Sequence, residues 1–190
     1  RAIWGGVILS FRLSNNRCEE IKEIVVDTFV RLNIRCVPIS GFEIATKLGA
    51  KIIPYSSQNE ETYLLMLLRS EDGFTMKYDG EWYIYYNDEK SYGRINNTLA
   101  HESGHIVLDH SEESPLAEAE AKFFAKYAIA PPVLIHELGL KNALEVYNRF
   151  DISFEAAGYA FSYYRKWLTY GNKDYTNYER RLLQLFKEAV

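Results

Sequence analysis

Ile95-Asn-Asn-Thr-Leu-Ala-His-Glu-Ser-Gly-His-Ile-Val-Leu-Asp109 is the stretch around which the rest of the chain arranges itself. Ile95, Leu99 and Ile106 recur at helical spacing, and Asn96 or Asn97 is a ready N-cap, so the segment is expected to be a helix. Within it stand His101-Glu102-x-x-His105. Two histidines four apart share one helix face and can close on a single metal ion, as two of the ligands of a tetrahedral zinc. Glu102 lies about 100° further round the helix, beside the ion without ligating it. That is the place for a general base acting on a water held by the metal. Gly104 costs about 1 kcal/mol against alanine in a helix, which a backbone or substrate passing close to this face would justify.

Two imidazoles need at least one more protein ligand. A third histidine six residues beyond His105, with a glycine between, would make a metzincin; Leu108 and Ser111 stand at those places, and His110 is one residue out of register. The next acids are Glu112 and Glu113, in a loop, then Glu118 and Glu120 on a helix opened by Ser114 and Pro115. Residues two apart point about 200° away from each other, so only one of the pair can reach the metal. Glu118 shares its face with Ala121, Ala125 and Ile129, where small side chains allow a close helix–helix approach. Glu120 shares its face with the bulkier Phe123, Phe124 and Tyr127. Packing therefore favours Glu118.

Upstream, Phe74–Tyr78 and Glu81–Tyr86 are β-formers joined by Asp79-Gly80, the signature of a two-residue type I′ hairpin. Trp82, Ile84 and Tyr86 should face one way, Tyr83 and Tyr85 the other. The second strand runs directly into the histidine helix and is expected beside the ion; as an edge strand it would hold an extended peptide by strand addition. Earlier in the chain, helices are expected over residues 18–32, with acidic residues in the first turn, and over 41–48, stopped by Gly49. A strand is expected over 51–56, while residues 59–69 fit a helix or a strand. Beyond Pro131-Pro132 the pattern is helical: 133–139, 142–150, 153–167 and 178–189. Tyr159, Tyr163 and Tyr164 have core spacing, although a phenol or Arg165 would suit a developing oxyanion; His136 is isolated and reads as structural.

The expected fold is α+β: a small mixed or antiparallel sheet whose hairpin packs on the histidine helix in a zincin-like core, followed by a helical C-terminal part. Residues 1–17 read as an N-terminal extension, 18–132 as the metallopeptidase core and 133–190 as the helical part packed on it. The 190 residues and 47% hydrophobic content suit one compact core. A net charge of −4 argues against nucleic acid as a direct partner. Cys18 and Cys36 are too few for a disulfide framework and fit free thiols in a reducing cytoplasm. The apolar run in residues 1–13 falls short of the roughly 20 residues that span a bilayer, and no membrane association is expected.

The run Arg94-x-x-x-Thr98-Leu-Ala-His-Glu-x-Gly-His105, followed by Glu118-x-Glu-Ala-x-x-Phe-Ala125 and Pro131, resembles the ImmA/IrrE family of bacterial metallopeptidases. Arg149-Phe-Asp-Ile-Ser-x-Glu-Ala-Ala157 is similar, more loosely, to the family's downstream helix pair. The resemblance implies one zinc ion held by His101, His105 and Glu118, with Glu102 as catalytic base. It also implies a cytoplasmic protein substrate, typically a helix-turn-helix transcriptional repressor. The chain departs from the family four residues beyond Glu118, where Lys122 replaces the usual Asn or Asp. An ammonium cannot accept a hydrogen bond from an imidazole N–H. Orientation of a metal-binding histidine then falls to Asp109, Glu120 or a backbone carbonyl. The rival readings are a metal-containing module that sequesters a repressor uncut, and a plain structural zinc site.

Overall fold

Asp79 and Gly80 both adopt positive φ, 50° and 79°, the backbone of a type I′ turn. In the computed structural model, which describes residues 11–189, the hairpin belongs to a chain that runs as follows. Helix α1 (Asn15–Leu32) and the short α2 (Gly41–Lys47) lead into strand β1 (Lys51–Pro54) and one 3-10 turn (Tyr55–Ser57). Helix α3 (Glu60–Arg69) precedes the hairpin β2 (Gly73–Tyr78) and β3 (Glu81–Tyr86), which delivers the chain into α4 (Tyr92–Val107). Then come α5 (Pro115–Ile129), α6 (Pro132–Glu137), α7 (Ala143–Phe150), α8 (Phe154–Tyr170) and α9 (Asn177–Leu185). The α+β architecture expected from sequence is the one observed, with a mixed sheet.

Strand order is β1-β3-β2, with β1 parallel and β2 antiparallel to β3. Strand β3, which could hold a peptide only as an edge strand, is therefore the central one. Its partner across the turn, β2, is left at the edge. Ile84, directly opposite Thr75, packs with Leu99 and Ala45 in a small apolar cluster that Ile52, Tyr86, Ile95 and Ile106 cover. Thus α4 carries the sheet on one side. On the other it meets the main core, where Ala100 joins buried residues of α1, α5, α6, α7 and α9, among them Phe29, Phe124, Phe150 and Phe186. The C-terminal helices share this cluster and continue it.

Three local expectations shift by about a turn. Helix α1 begins at Asn15, with the Ser14 hydroxyl accepting from the Arg17 amide at 3.2 Å, so Glu19 and Glu20 fall in its second turn. The segment assigned to an N-terminal extension thus ends inside α1, and its residues 1–10 lie outside the described region. Strand β1 stops at Pro54, where the 3-10 turn takes over. Helix α4 starts at Tyr92 with Ser91 at the N-cap position, a turn before Asn96. Asn96 is instead buried inside the helix. Its side chain accepts from the Gly41 amide at 2.5 Å and donates to the Ile39 carbonyl at 3.1 Å, tying α4 to the start of α2. Gly41 permits that contact, since a Cβ there would run into the Asn96 backbone oxygen.

Candidate metal centre

His101 and His105 stand one turn apart on α4, ring centroids 4.9 Å apart and planes at 74°. Their Nε2 atoms come within 3.2 Å of each other. Into the gap reaches Glu118 from the first turn of α5, its two carboxylate oxygens 3.4 Å from His101 Nε2 and 3.3 Å from His105 Nε2. Ligands bound tetrahedrally at the roughly 2.0–2.1 Å of zinc–nitrogen and zinc–oxygen bonds stand about 3.3–3.4 Å apart. The 3.2 Å between the two nitrogens is close to that edge length, each nitrogen has a different Glu118 oxygen at a similar distance, and one donor atom from each residue lies within 4.8 Å of the others, so the set is compact enough for a single zinc-sized cation. These three are the group of potential ligands found among the described residues.

The electrostatics point the same way. Hydrogen bonds from His101 and His105 hold the Glu118 carboxyl far below the usual carboxylate range. Burial pushes His105 down, but the Glu118 hydrogen bond and the charges of Glu102, Glu118 and Glu113 outweigh it and raise the imidazole. Both directions are those of a pocket that favours positive charge at these atoms. Glu118 keeps 57% of its side-chain surface exposed, whereas the histidines keep 20% and 14%. The site therefore opens to solvent on the α5 side.

Three helix features bring these groups together. Ser114 caps α5, its hydroxyl accepting from the Ala117 amide at 3.1 Å, with Pro115 at the first helical position. Gly104 faces α5, where a Cβ would stand 3.2 Å from Ala121 Cα and 3.1 Å from a Phe124 ring carbon. A backbone does pass close to this glycine, and it belongs to the helix that carries Glu118. Arg94 anchors the start of α4 to Asp72, ahead of β2, through a paired contact at 2.5 and 3.0 Å.

Glu102 lies beside the donor group on α4 and is only 6% exposed. Its carboxylate accepts a 2.8 Å hydrogen bond from the Thr75 hydroxyl of β2. Sequence reading missed Thr75, because nothing local connects a threonine in a hairpin strand with a helix a turn of chain further on.

It also missed the role of His110. Helix α4 ends in a Schellman motif, with Asp109 left-handed at φ 52°. The His110 amide bonds the His105 carbonyl at 3.0 Å and the Asp109 amide bonds Ile106 at 3.2 Å. His110 is thereby folded back so that its Nδ1 meets His105 Nδ1 at 3.0 Å. Its Nε2 reaches Glu120 Oε2, also at 3.0 Å. Glu120 is gripped by Arg17 of α1, Nε to Oε1 at 2.7 Å and Nη2 to Oε2 at 3.2 Å. Lys122 is exposed.

The oxyanion candidates have partners elsewhere. Tyr163 packs edge-on against Phe123 under Lys22. Tyr164 hydrogen-bonds His136 at 3.0 Å, Tyr159 lies beneath Lys126, and Arg165 lines a cavity with Lys141, Phe161 and Leu168. Among the described residues no helix is long and apolar enough to cross a membrane.

A family model described as the IrrE N-terminal-like domain, a peptidase family, matches residues 45–162, which spans the sheet, both metal-site helices and most of α8. No curated protein and no solved structure gives a significant match.

Proposed function

The chain belongs to the ImmA/IrrE family of metallopeptidases, by the IrrE N-terminal-like domain it carries over more than half its length, and from that premise we propose a zinc-dependent endopeptidase that cuts a cytoplasmic protein, a helix-turn-helix transcriptional repressor. The observation that carries the reading is the convergence of one donor atom each from His101, His105 and Glu118 within 4.8 Å, with the buried Glu102 carboxylate on the same helix as the histidines. Three protein donors are the number used by catalytic zinc; structural sites use four.

A zinc ion held there supplies Lewis-acid polarisation of the scissile carbonyl and acidifies water. Glu102 takes the proton from the attacking water and returns it to the leaving amine nitrogen. Its hydrogen bond from Thr75 fixes which oxygen is occupied and leaves the other for that transfer. Among the described residues β2 has no partner on its outer edge; that edge runs past Glu102 and suits an extended peptide, which would add as a further antiparallel or parallel strand. Strand β3, paired on both sides, offers no edge for a peptide, so the role falls to β2. Cys18 and Cys36 are free thiols, in keeping with a reducing compartment.

The rival reading of a module that sequesters its partner uncut drew on Lys122 and on the want of an identified oxyanion donor. His110 and Glu120 standing behind His105 weaken the first motive; the second stands, since Tyr159, Tyr163 and Tyr164 have other partners. The test is Glu102→Gln. It should retain one zinc per chain and leave intact a helix-turn-helix repressor that the parent cleaves. Cleavage by the variant at the parent's rate overturns the mechanism; relief of repression with the repressor uncut by either protein favours sequestration.

A further inference from the structure

We propose that His110, Glu120 and Arg17 are positioning residues for the metal, acting through His105 and supplying the hydrogen-bond acceptor that Lys122 cannot. The proposal rests on the metal-site reading above and concerns what makes that site bind tightly.

The hydrogen-bond directions carry it. A metal on His105 Nε2 leaves the ring proton on Nδ1, which must be donated. The atom in front of it is His110 Nδ1, 3.0 Å away, which accepts only if the His110 proton sits on Nε2. That Nε2 faces Glu120 Oε2 at 3.0 Å, an acceptor. Glu120 in turn accepts twice from Arg17. With both imidazoles neutral, every group in the chain is satisfied in one direction only, and that direction leaves the lone pair of His105 Nε2 free for a cation. With the proton of His105 on Nε2 instead, its bare Nδ1 would need a proton from His110, whose Nε2 would then face the Glu120 carboxylate without one. The carboxylate selects the metal-ready tautomer.

Burial gives this selection force. The side chains of His110 and Glu120 are 11% and 8% exposed, so water offers little competition for either bond. The backbone prepares the contact as well: the left-handed Asp109 turns His110 over the ring it supports. Arg17, 103 residues away in sequence from Glu120, also pairs with Glu20 at 2.9 Å. Helix α1 is thereby fastened to the far end of the metal site. Lys122, a turn beyond Glu118 on α5, is left in solvent.

The experiment measures zinc affinity of the metal-free full chain by competition with a chromogenic chelator, alongside its melting temperature. His110→Ala should weaken zinc about ten- to hundredfold. His110→Asn, whose amide oxygen lies near the position of Nδ1, should recover most of that loss, and Glu120→Gln should fall between. A merely structural role would lower the melting temperature of the metal-free protein in all three and leave the affinity of folded protein unchanged, which overturns the proposal. Should His110→Ala not fold, Glu120→Gln decides, and parental affinity there is equally fatal. His101→Ala is the control. Zinc binding that survives it overturns the metal-site reading itself; zinc binding lost there but untouched by His110→Ala overturns only the relay.

Discussion

Replacing Gly104 with valine should prise α5 off α4 and loosen the metal site. A Cβ at this position would lie 3.1 Å from Phe124 Cδ1, 3.2 Å from Ala121 Cα and 3.2 Å from Phe124 Cβ. Carbon atoms pack best at about 3.5–4.0 Å, so alanine alone asks for about half an ångström and the γ-methyls of valine for roughly another. Ala121 and Phe124 are both fully buried and cannot swing aside. Ala121 is one turn from Glu118 on the same face of α5, so the displacement carries the third ligand with it. Metal–ligand distances tolerate about 0.2 Å, less than the shift. Overpacking of this kind costs about 1–3 kcal/mol, which for a chain of this size lowers Tm by about 3–10 °C. Zinc affinity should fall at least about tenfold, the loss expected when a ligand no longer sits at bonding distance. Thermal melts of the metal-free protein and chelator competition give both numbers. A Gly104→Val protein that melts within about 2 °C of the parent and binds zinc equally well would refute the claim that this glycine sets the α4–α5 distance for Glu118.

Thr75→Val removes the hydroxyl that holds Glu102 at 2.8 Å while keeping the side chain's shape; turnover should fall about tenfold, equivalent to about 1.4 kcal/mol, with zinc content unchanged and Thr75→Ser restoring the rate. Valine at parental turnover would remove Thr75 from the mechanism. For Glu120, the Arg17 hydrogen bond, with help from His110 and against the effect of burial, holds the carboxyl below its ordinary value of 4.5. A depressed folded-state pKa stabilises the fold above pH 4.5, and the benefit disappears as pH falls through the folded value. Glu120→Gln should therefore be about 1–3 kcal/mol less stable than the parent at pH 7, with the gap closing towards pH 3 in denaturant titrations. A gap independent of pH would mean that the ionised form of Glu120 is not what the fold uses.

What was legible in the chain was what depends on neighbours a few residues away. Histidines four apart on a helix, a hairpin at Asp79-Gly80 and a capped start at Ser114-Pro115 are local geometry, and each stands as read. The choice of Glu118 over Glu120 for the donor group rested on the small side chains of its face; α4 meets both Ala121 of that face and Phe124 of the other, at the same Gly104. Asn96 misled because local propensity makes an asparagine before an apolar stripe a helix cap, while here its amide is committed to Gly41 and Ile39, over fifty residues away. The place of β3 at the centre of the sheet was hidden for a like reason. Its second partner, β1, pairs in parallel across a long connection, and parallel pairing leaves no turn signal to read. His110 looked like a histidine out of register because its purpose depends on Glu120 and Arg17, which come from two other helices.

These non-local ties bear on what the metal is for. Helix α5 is held on α4 by the Gly104–Ala121 contact, and its Glu120 is gripped from α1 and from the end of α4. Glu118 lies next to both fastenings, so its backbone is fixed by packing and by an ion pair, neither of which involves the metal. The apolar clusters on the two sides of α4 bury Ile84 and Leu99 on one and Phe29, Phe124 and Phe150 on the other, a core sufficient to order the helix that bears both histidines. A site assembled this way spends no binding energy on folding the chain, unlike a zinc finger whose metal-free form is unfolded. The strength of the metal's attachment is then governed by the groups behind the ligands, and the Nδ1 proton of His105 requires an acceptor there. His110 and Glu120 stand where that acceptor has to be.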